Sequence, residues 1–368
     1  MNTDLKIHKL SAFSKVIDNA LQNKEILLKN SLQSLKVSAK EPLQPPQIAL
    51  QMVNKKTDGY CTLGTLGNFS LIIGKAKSRK SFFINIAVSS AISSDLILNL
   101  FKSELPQNQN EVLYFDTEQG KYHVQLALKR ICKQVDIEEP DNLNVYHLRS
   151  KTPAERLELI EYAIYNNDKI GIVVIDGIKD LVTSINDEAE ATMIASKLLK
   201  WTEERNIHII TVLHQNKSDS NARGHIGTEL INKAETVLSI TKAETDSNIS
   251  VVEAQQCRNI EPETFAFEII DGLPVIAENY ELRTETKKNK FDVTSLENYK
   301  KYQLLIEVFS NGKSFSYKEL EIQIKLASKK QLGKELGNNV ISSFITDCKN
   351  NNWLLQEKTK APYTIGDF

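Results

Sequence analysis

The stretch Phe69-Ser70-Leu71-Ile72-Ile73-Gly74-Lys75-Ala76-Lys77-Ser78-Arg79-Lys80-Ser81-Phe82-Phe83 joins an apolar, strand-length run to an amphipathic segment through a polar loop that opens on glycine. A buried strand, a tight loop and a helix beginning at Lys-Ser are the parts of a phosphate-binding loop. Backbone N–H groups of such a loop and of the helix N-terminus face an anion. The lysine reaches the β- and γ-phosphates of a nucleoside triphosphate, and the hydroxyl ligates Mg²⁺. Gly74, Lys75, Ala76, Lys77, Ser78, Arg79, Lys80, Ser81 and Phe82 are therefore the expected nucleotide contacts, with Lys80 also catalytic and Ser81 a metal ligand. The pattern departs from G-x-x-x-x-G-K-[ST] at one place, where Arg79 replaces the second glycine. Arginine takes positive φ less freely than glycine. The loop is expected to differ in detail, with Lys77 or Arg79 adding charge near phosphate or a neighbouring subunit.

Around this stretch, short apolar runs at Phe69–Ile73, Val112–Phe115, Leu143–Leu148, Ile170–Ile175 and Ile207–Leu213 alternate with helical segments. That alternation predicts a parallel sheet covered on both faces. Glu235–Ile240, Ile249–Gln256 and Thr264–Ile270 follow at short spacing and predict further strands, partly antiparallel. Several runs end in polar groups. Asp176 closes one and would hold Mg²⁺ through its water shell; a helix cap is the other reading. Asp116-Thr117-Glu118 closes another, and Glu118 is assigned as the base that polarises the attacking water, with Asp116 the runner-up and a capping role the alternative for either. His214 and Gln215 close a third, placed to donate to the γ-phosphate, against a purely structural histidine. The loop after them is polar and contains glycine. Lys217, Arg223 and His225 in it are candidate contacts to nucleic-acid phosphates, against an ordinary surface loop. Arg258 ends a later strand and would reach the γ-phosphate held by an adjacent subunit, against a surface salt bridge.

The chain has 368 residues, 41% hydrophobic and 25% charged, with 14 Gly and 9 Pro. This is globular composition, enough for two domains and an appendage, and it excludes collagen-like or wholly disordered chains. No apolar run approaches the roughly 20 residues of a membrane span. The N-terminus lacks the basic-then-apolar order of a signal peptide, so a cytoplasmic location is expected. Four scattered cysteines suit reduced thiols rather than a disulfide framework or a zinc site. Charge is nearly balanced overall, 46 basic against 47 acidic, yet the first 50 residues carry +3, residues 283–368 carry +5, and the middle about −9. Basic ends around an acidic centre are compatible with nucleic-acid contact, though solvated faces alone also give them.

Residues 3–40 show apolar positions at helical spacing, and Pro42, Pro45 and Pro46 then interrupt the pattern. The expected organisation is a helical segment and linker over 1–54, an α/β domain over 55–282, a charged tether over 283–300 and a small domain over 301–368. In that last domain Tyr302–Phe309, Tyr317–Ile324 and Asn338–Asn350 read as helices, and Trp353–Leu355 with Tyr363–Ile365 as a ribbon. This is the winged-helix order. It would set Asn338–Asn350 in a major groove with Lys349, Lys358 and Lys360 near phosphates, against a protein-interaction or structural cap.

With these residues in order, the chain over about 60–275 resembles the RecA/DnaB superfamily of ATPases, and most closely the RepA-like branch of plasmid- and phage-type replicative helicases. The resemblance implies a RecA-like core that binds ATP and Mg²⁺ through Lys77 and Lys80-Ser81, with Glu118 as base and Asp176 as the strand-end acid. His214-Gln215-Asn216-Lys217 would be the sensor strand, Ala222-Arg223-Gly224-His225 part of a DNA loop, and Arg258 an inter-subunit finger. Gln256 stands where DnaB-type enzymes carry a lysine. Members typically form six-membered rings on single-stranded DNA, so a hexamer, replication or mobilisation partners and helicase activity follow as expectations. A RecA-fold nucleotide switch that recruits partners without unwinding is the competing expectation, and a small-molecule kinase a lesser one.

Overall fold

β3 (Phe69–Gly74) is buried along its whole length, as a strand covered by helices on two sides must be. It lies inside a nine-stranded sheet seen in the computed structural model, which describes residues 22–93, 95–215, 222, 224–278, 280, 296–310, 312–333, 335–358 and 360–368. The chain forms two compact units, Met1–Glu281 and Leu282–Phe368.

The first unit begins, among the described residues, with helix α1 over 22–34. The helix expected over 3–40 ends there, and residues 1–21 lie outside the described residues. Ile26, Leu27, Leu32 and Leu35 are exposed, so this segment has no core to pack on among the described residues. Strand β1 (Ile48–Asn54) then pairs antiparallel with β2 (Gly59–Thr65) and with β4 (Phe101–Lys102), making a small second sheet. This corrects the expected boundary at 54, since β1 precedes it. The large sheet runs β12 (Leu273–Ile276), β11 (Phe265–Ile270), β10 (Ile249–Cys257), β9 (Thr236–Lys242), β3, β8 (His208–His214), β7 (Ile170–Asp176), β5 (Glu111–Asp116), β6 (Leu143–His147). From β9 to β6 all pairs are parallel, while β10, β11 and β12 add on by antiparallel pairing.

Alternation along the strands separates two cores. Ile72 of β3 faces one with Ile172, Val174 and Val212, whereas Leu71 and Ile73 face the other with Val173, Ile175 and Leu213. Helix α2 (Lys80–Ile92) fills the first core. Eleven of its 13 residues are buried, because the small sheet covers the face that would otherwise meet solvent. Phe83 meets Phe101 of β4 edge-on, with ring centroids 6.0 Å apart. The same core takes Ile131 of α3 (Lys121–Val135). The second takes α4 (Pro153–Tyr165) and α5 (Glu188–Arg205), with Trp201 of α5 only 1% exposed. Caps fix where these helices start. Thr152 and Glu155 form a capping box on α4, and Asp187 accepts from the Glu190 N–H on α5. Helix α6 (Gly224–Lys233) precedes β9.

In the second unit α7 (Asn298–Phe309), α8 (Tyr317–Leu332) and α9 (Asn338–Asn350) are followed by a two-stranded ribbon, β13 (Leu354–Leu355) and β14 (Thr364–Ile365). The first three residues of α7 lie inside the expected tether, and α8 continues eight residues past the expected end. Ser316 and Glu319 form its capping box. Leu304, Leu305, Leu320, Ile324, Phe344 and Trp353 build the core of this unit. Among the described residues no helix is long and apolar enough to cross a membrane.

Candidate active site

Parallel register brings the polar strand ends together. Gly74 stands opposite His214, Asp176 opposite Val212, and Asp116 opposite Asp176. Four neighbouring strands therefore deliver their terminal groups to one edge, the carboxyl edge, where ligands of open α/β sheets bind.

The loop from Gly74 to Lys80 has the conformation the motif requires, without its second glycine. Lys77 and Arg79 adopt φ of 63° and 71°, and Arg79 is the N-cap of α2. Left-handed residues separated by one of negative φ aim consecutive N–H groups at a common point, an anion nest. Arg79 is tied into the sheet. Its Nη1 donates to Asn248 O at 2.7 Å and to Ser250 Oγ at 3.2 Å, and Ser250 Oγ donates to Ser78 O at 3.3 Å. The Arg79 side chain therefore anchors the loop to Asn248 and to Ser250 of β10, where the expectation was that Lys77 or Arg79 adds charge near phosphate or a neighbouring subunit. Left-handed backbone costs an arginine about 1–2 kcal/mol, and each hydrogen bond returns about 0.5–1.5 kcal/mol. Arg79→Gly loses the bonds and the strain together, whereas Arg79→Ala loses the bonds and keeps the strain. Chemical denaturation should find the alanine variant less stable than the glycine variant by about 1 kcal/mol; equal or reversed stabilities would refute the compensation.

Lys80 is 6% exposed. Its Nζ donates to Gly74 O and Lys75 O, both at 3.0 Å, and lies 3.2 Å from His214 Nδ1. Burial brings its pKa down to about 8, against the pull of Asp176 and Glu118. A protonated lysine donates, so Nδ1 of His214 accepts and the ring's own proton sits on Nε2. That nitrogen faces Glu118 Oε2 at 3.4 Å. Glu118 also pairs with Lys179 at 2.9 Å. His214 first, then Lys179, hold its carboxyl down at about 2. Lys80, His214, Glu118 and Lys179 thus form one chain of alternating donors and acceptors.

Asp176 accepts from Ser81 Oγ and from Tyr114 Oη, each at 3.0 Å, and burial raises its pKa. Asp116 accepts the N–H groups of Glu118 and Gln119 at 3.0 and 2.7 Å, which is a cap on the turn that carries Glu118. Burial, with Asp176 nearby, lifts Asp116 to about 6. Gln215 donates its backbone N–H to Gly74 O, but its side chain turns toward β9 and donates to Ser239 Oγ at 3.3 Å. His225 is exposed on the first turn of α6. Lys217 and Arg223 lie outside the described residues. Arg258 is at the other edge of the sheet. Its Nη1 donates to Asn68 Oδ1 at 3.1 Å and its N–H to Glu235 O. The length of β3 sets it about 20 Å from the loop at Gly74.

The residues present fit a triphosphate with Mg²⁺. A Cβ on Gly74 would stand 2.3 Å from Ile240 O and 2.6 Å from Ser78 Oγ, so the cradle is bare backbone by necessity. Ser78 Oγ is buried without a hydrogen-bond partner among the described residues, and Ser81 with Asp176 supplies the hard oxygens such a cation takes. When bound, the ion neutralises charge on the β- and γ-phosphate oxygens. Ser81 and Asp176 would hold it, Lys80 would exchange its carbonyl partners for phosphate oxygens, and Glu118 would orient a water and take its proton.

Tyr114, Thr117 and Lys179 also belong to the site, though the strand-end reading passed over them. The single proton of Thr117 Oγ1 has Gly177 O at 3.0 Å and Asp180 Oδ2 at 2.9 Å as acceptors. Gly177 takes φ of 108°, and a Cβ on it would meet Thr117 Oγ1 at 2.2 Å. The one sequence sign was Gly177 and Lys179 directly after Asp176. Fold and site define a nucleoside-triphosphate-binding loop on a parallel sheet, the class of P-loop ATPases. A family model described as AAA domain matches residues 58–220, from β2 past the end of β8. The match supports a P-loop ATPase domain here. No curated protein matches the chain.

Proposed function

We propose that this chain is an ATP-driven motor of the RecA/DnaB type, RepA-like in kind. In this reading it acts as a ring, a hexamer for choice, on single-stranded DNA during replication or mobilisation of a plasmid, phage or conjugative element in the cytoplasm. The observation that carries the reading is the separation of Arg258 from Lys80 across the length of β3. An arginine so far from its own loop is out of reach of its own γ-phosphate; in this reading it serves that of another subunit, and turnover then depends on assembly. The exposed apolar residues of α1 support self-association, because they find no partner among the described residues of their own chain. His214 bridges the nucleotide lysine and Glu118 immediately before the loop assigned to DNA, so a change at the γ-phosphate has a short route to that loop.

A second reading rests on Glu118. Paired with His214 and Lys179 and held at about 2, it is a weak base in this state. Slow hydrolysis used as a timer, in a winged-helix-bearing switch that recruits partners, follows from that pairing. ATP turnover with and without single-stranded DNA separates the two. The motor predicts severalfold stimulation that disappears in Lys80→Ala. Turnover that needs Lys80 but ignores every nucleic acid would sink the motor and favour the switch.

A further inference from the structure

Arg258 leaves the end of β10 exposed and with its charge uncompensated. Among the described residues it makes no ion pair, and its guanidinium donates one hydrogen bond, from Nη1 to Asn68 Oδ1 at 3.1 Å. That acceptor stands at the end of a short relay. Asn68 Nδ2 donates to Thr65 Oγ1 at 3.0 Å, and Thr65 Oγ1 lies 3.0 and 3.1 Å from the two carboxylate oxygens of Glu235. Glu235 is 4% exposed and Thr65 8%. A carboxylate only accepts, so the one hydroxyl proton of Thr65 points to Glu235 and its oxygen takes the proton of the amide. The amide nitrogen is thereby committed, and Asn68 turns its oxygen to the arginine. The same carboxylate accepts from the Thr65 N–H at 2.8 Å and from Asn259 Nδ2 at 3.2 Å, while Glu235 O accepts from the Arg258 N–H at 2.9 Å. Thr65 is fixed from inside the sheet as well, where its carbonyl accepts from His208 Nδ1 at 2.8 Å. Pairing of Cys257 with Thr236 is what brings residues 235 and 258 side by side.

A brace between β2 and the large sheet is complete without the Asn68 side chain. Glu235 takes the Thr65 N–H, Ile207 O takes the Gly67 N–H, and Asn68 O takes the Ile209 N–H. The Asn68 amide bonds only to two side chains, Thr65 and Arg258, so no backbone group depends on it. Its oxygen is also neutral. An acid at that place would pair with the guanidinium and compete with an incoming anion, because charged pairs make the stronger bonds. An amide instead fixes the direction of the guanidinium and leaves its charge and its other N–H groups for a ligand. Given the trans role of Arg258 set out above, we propose that Asn68, oriented by Thr65 and Glu235, is a positioning residue that aims Arg258 at the γ-phosphate held by a neighbouring subunit. The relay acts on the neighbour's chemistry and not on the nucleotide of its own chain.

The test mixes variants of the full chain and reads ATP turnover with single-stranded DNA present. Arg258→Ala and Asn68→Asp are each expected to lose about tenfold or more in kcat, with nucleotide affinity unchanged. Thr65→Val loses severalfold, and Thr65→Ser, which keeps the hydroxyl, does not. Lys80→Ala subunits turn over little ATP themselves but carry an intact Arg258. Mixed in equal amounts with Asn68→Asp, they set an intact loop beside an intact arginine at about a quarter of head-to-tail interfaces, and turnover rises severalfold above that of either variant alone. Lys80→Ala/Asn68→Asp subunits give no such rise with Arg258→Ala. Adding Asn68→Asp to Arg258→Ala lowers turnover no further, since both act through one group. Parent turnover in Asn68→Asp would overturn the positioning role and leave the trans arginine standing. So would a loss that Lys80→Ala subunits mend for Arg258→Ala but not for Asn68→Asp. Full turnover in Arg258→Ala, or no restoration in any mixture, removes the trans arginine itself and the positioning role with it. If Asn68→Asp fails to fold, Asn68→Leu takes its place in the same mixtures.

Discussion

Lys80→Ala is expected to lower ATP turnover by about 10²–10³-fold, the usual cost of removing one preorganised charge from the centre of a reaction. The lysine donates to two loop carbonyls and sits against His214. Without it those carbonyls face the incoming phosphates unscreened, and both binding and the transition state lose a cation. Stability should move the other way. Burial holds the folded-state pKa at about 8, below its ordinary value. Between that value and the ordinary lysine range the unfolded chain binds more protons, so stability from this group rises with pH and its charged form is a burden on the fold at pH 7. Alanine removes that burden, and the melting temperature of the variant is expected to hold or rise while turnover collapses. The same pKa predicts a basic limb in kcat/KM, falling as pH passes about 8 because the free enzyme then loses the lysine proton. A pH profile of nucleotide capture, flat in the alanine variant, checks it. Full turnover in Lys80→Ala would remove the loop from the chemistry altogether.

The sequence reading and the structure agree best where one strand speaks for itself. Ile170–Asp176 is an unbroken buried run, and its register beside β5 and β8 follows from being central in a parallel sheet. The antiparallel sheet of β1, β2 and β4 was not legible. β2 reads Gly-Tyr-Cys-Thr-Leu-Gly-Thr, with two glycines, and β1 meets it through register shifts, so period-two alternation is lost. Its consequence, an α2 buried nearly all round, was hidden with it. At the site the strand-end acids could be found one strand at a time, but their partners could not. Tyr114 reaches Asp176 on the neighbouring strand from 62 positions along the chain, and Lys179 reaches Glu118 from 61. Spacing within a segment carries no record of such pairs. Arg79 shows the limit of a motif rule in the other direction: the glycine position fixes a φ, and a residue bonded to Asn248 and Ser250 meets that demand by other means.

Glu118→Gln is expected to cut hydrolysis by about 10²–10⁴-fold, the range of a lost general base, while leaving nucleotide affinity close to that of the parent. Glutamine keeps the size of the side chain and an oxygen that accepts from His214 Nε2, so the loop geometry survives. What it loses is the charge paired with Lys179 and the capacity to take a proton. Held at about 2 by His214 and Lys179, Glu118 stays ionised across the neutral range, so it contributes no acidic limb to the pH profile. For the same reason it is a poor proton acceptor until one of those partners moves, and the partner coupled to the nucleotide is His214, which also touches the lysine that phosphate would draw away. Asp116→Asn supplies the contrast. Asp116 caps the turn through Oδ1, an atom asparagine reproduces, and its effect on hydrolysis should be within a few-fold. Single-turnover hydrolysis measured beside equilibrium nucleotide binding decides the matter. If the asparagine variant abolishes hydrolysis and the glutamine variant does not, the base is Asp116, whose pKa of about 6 lies nearer to working pH, and the Glu118 pairing is a structural brace.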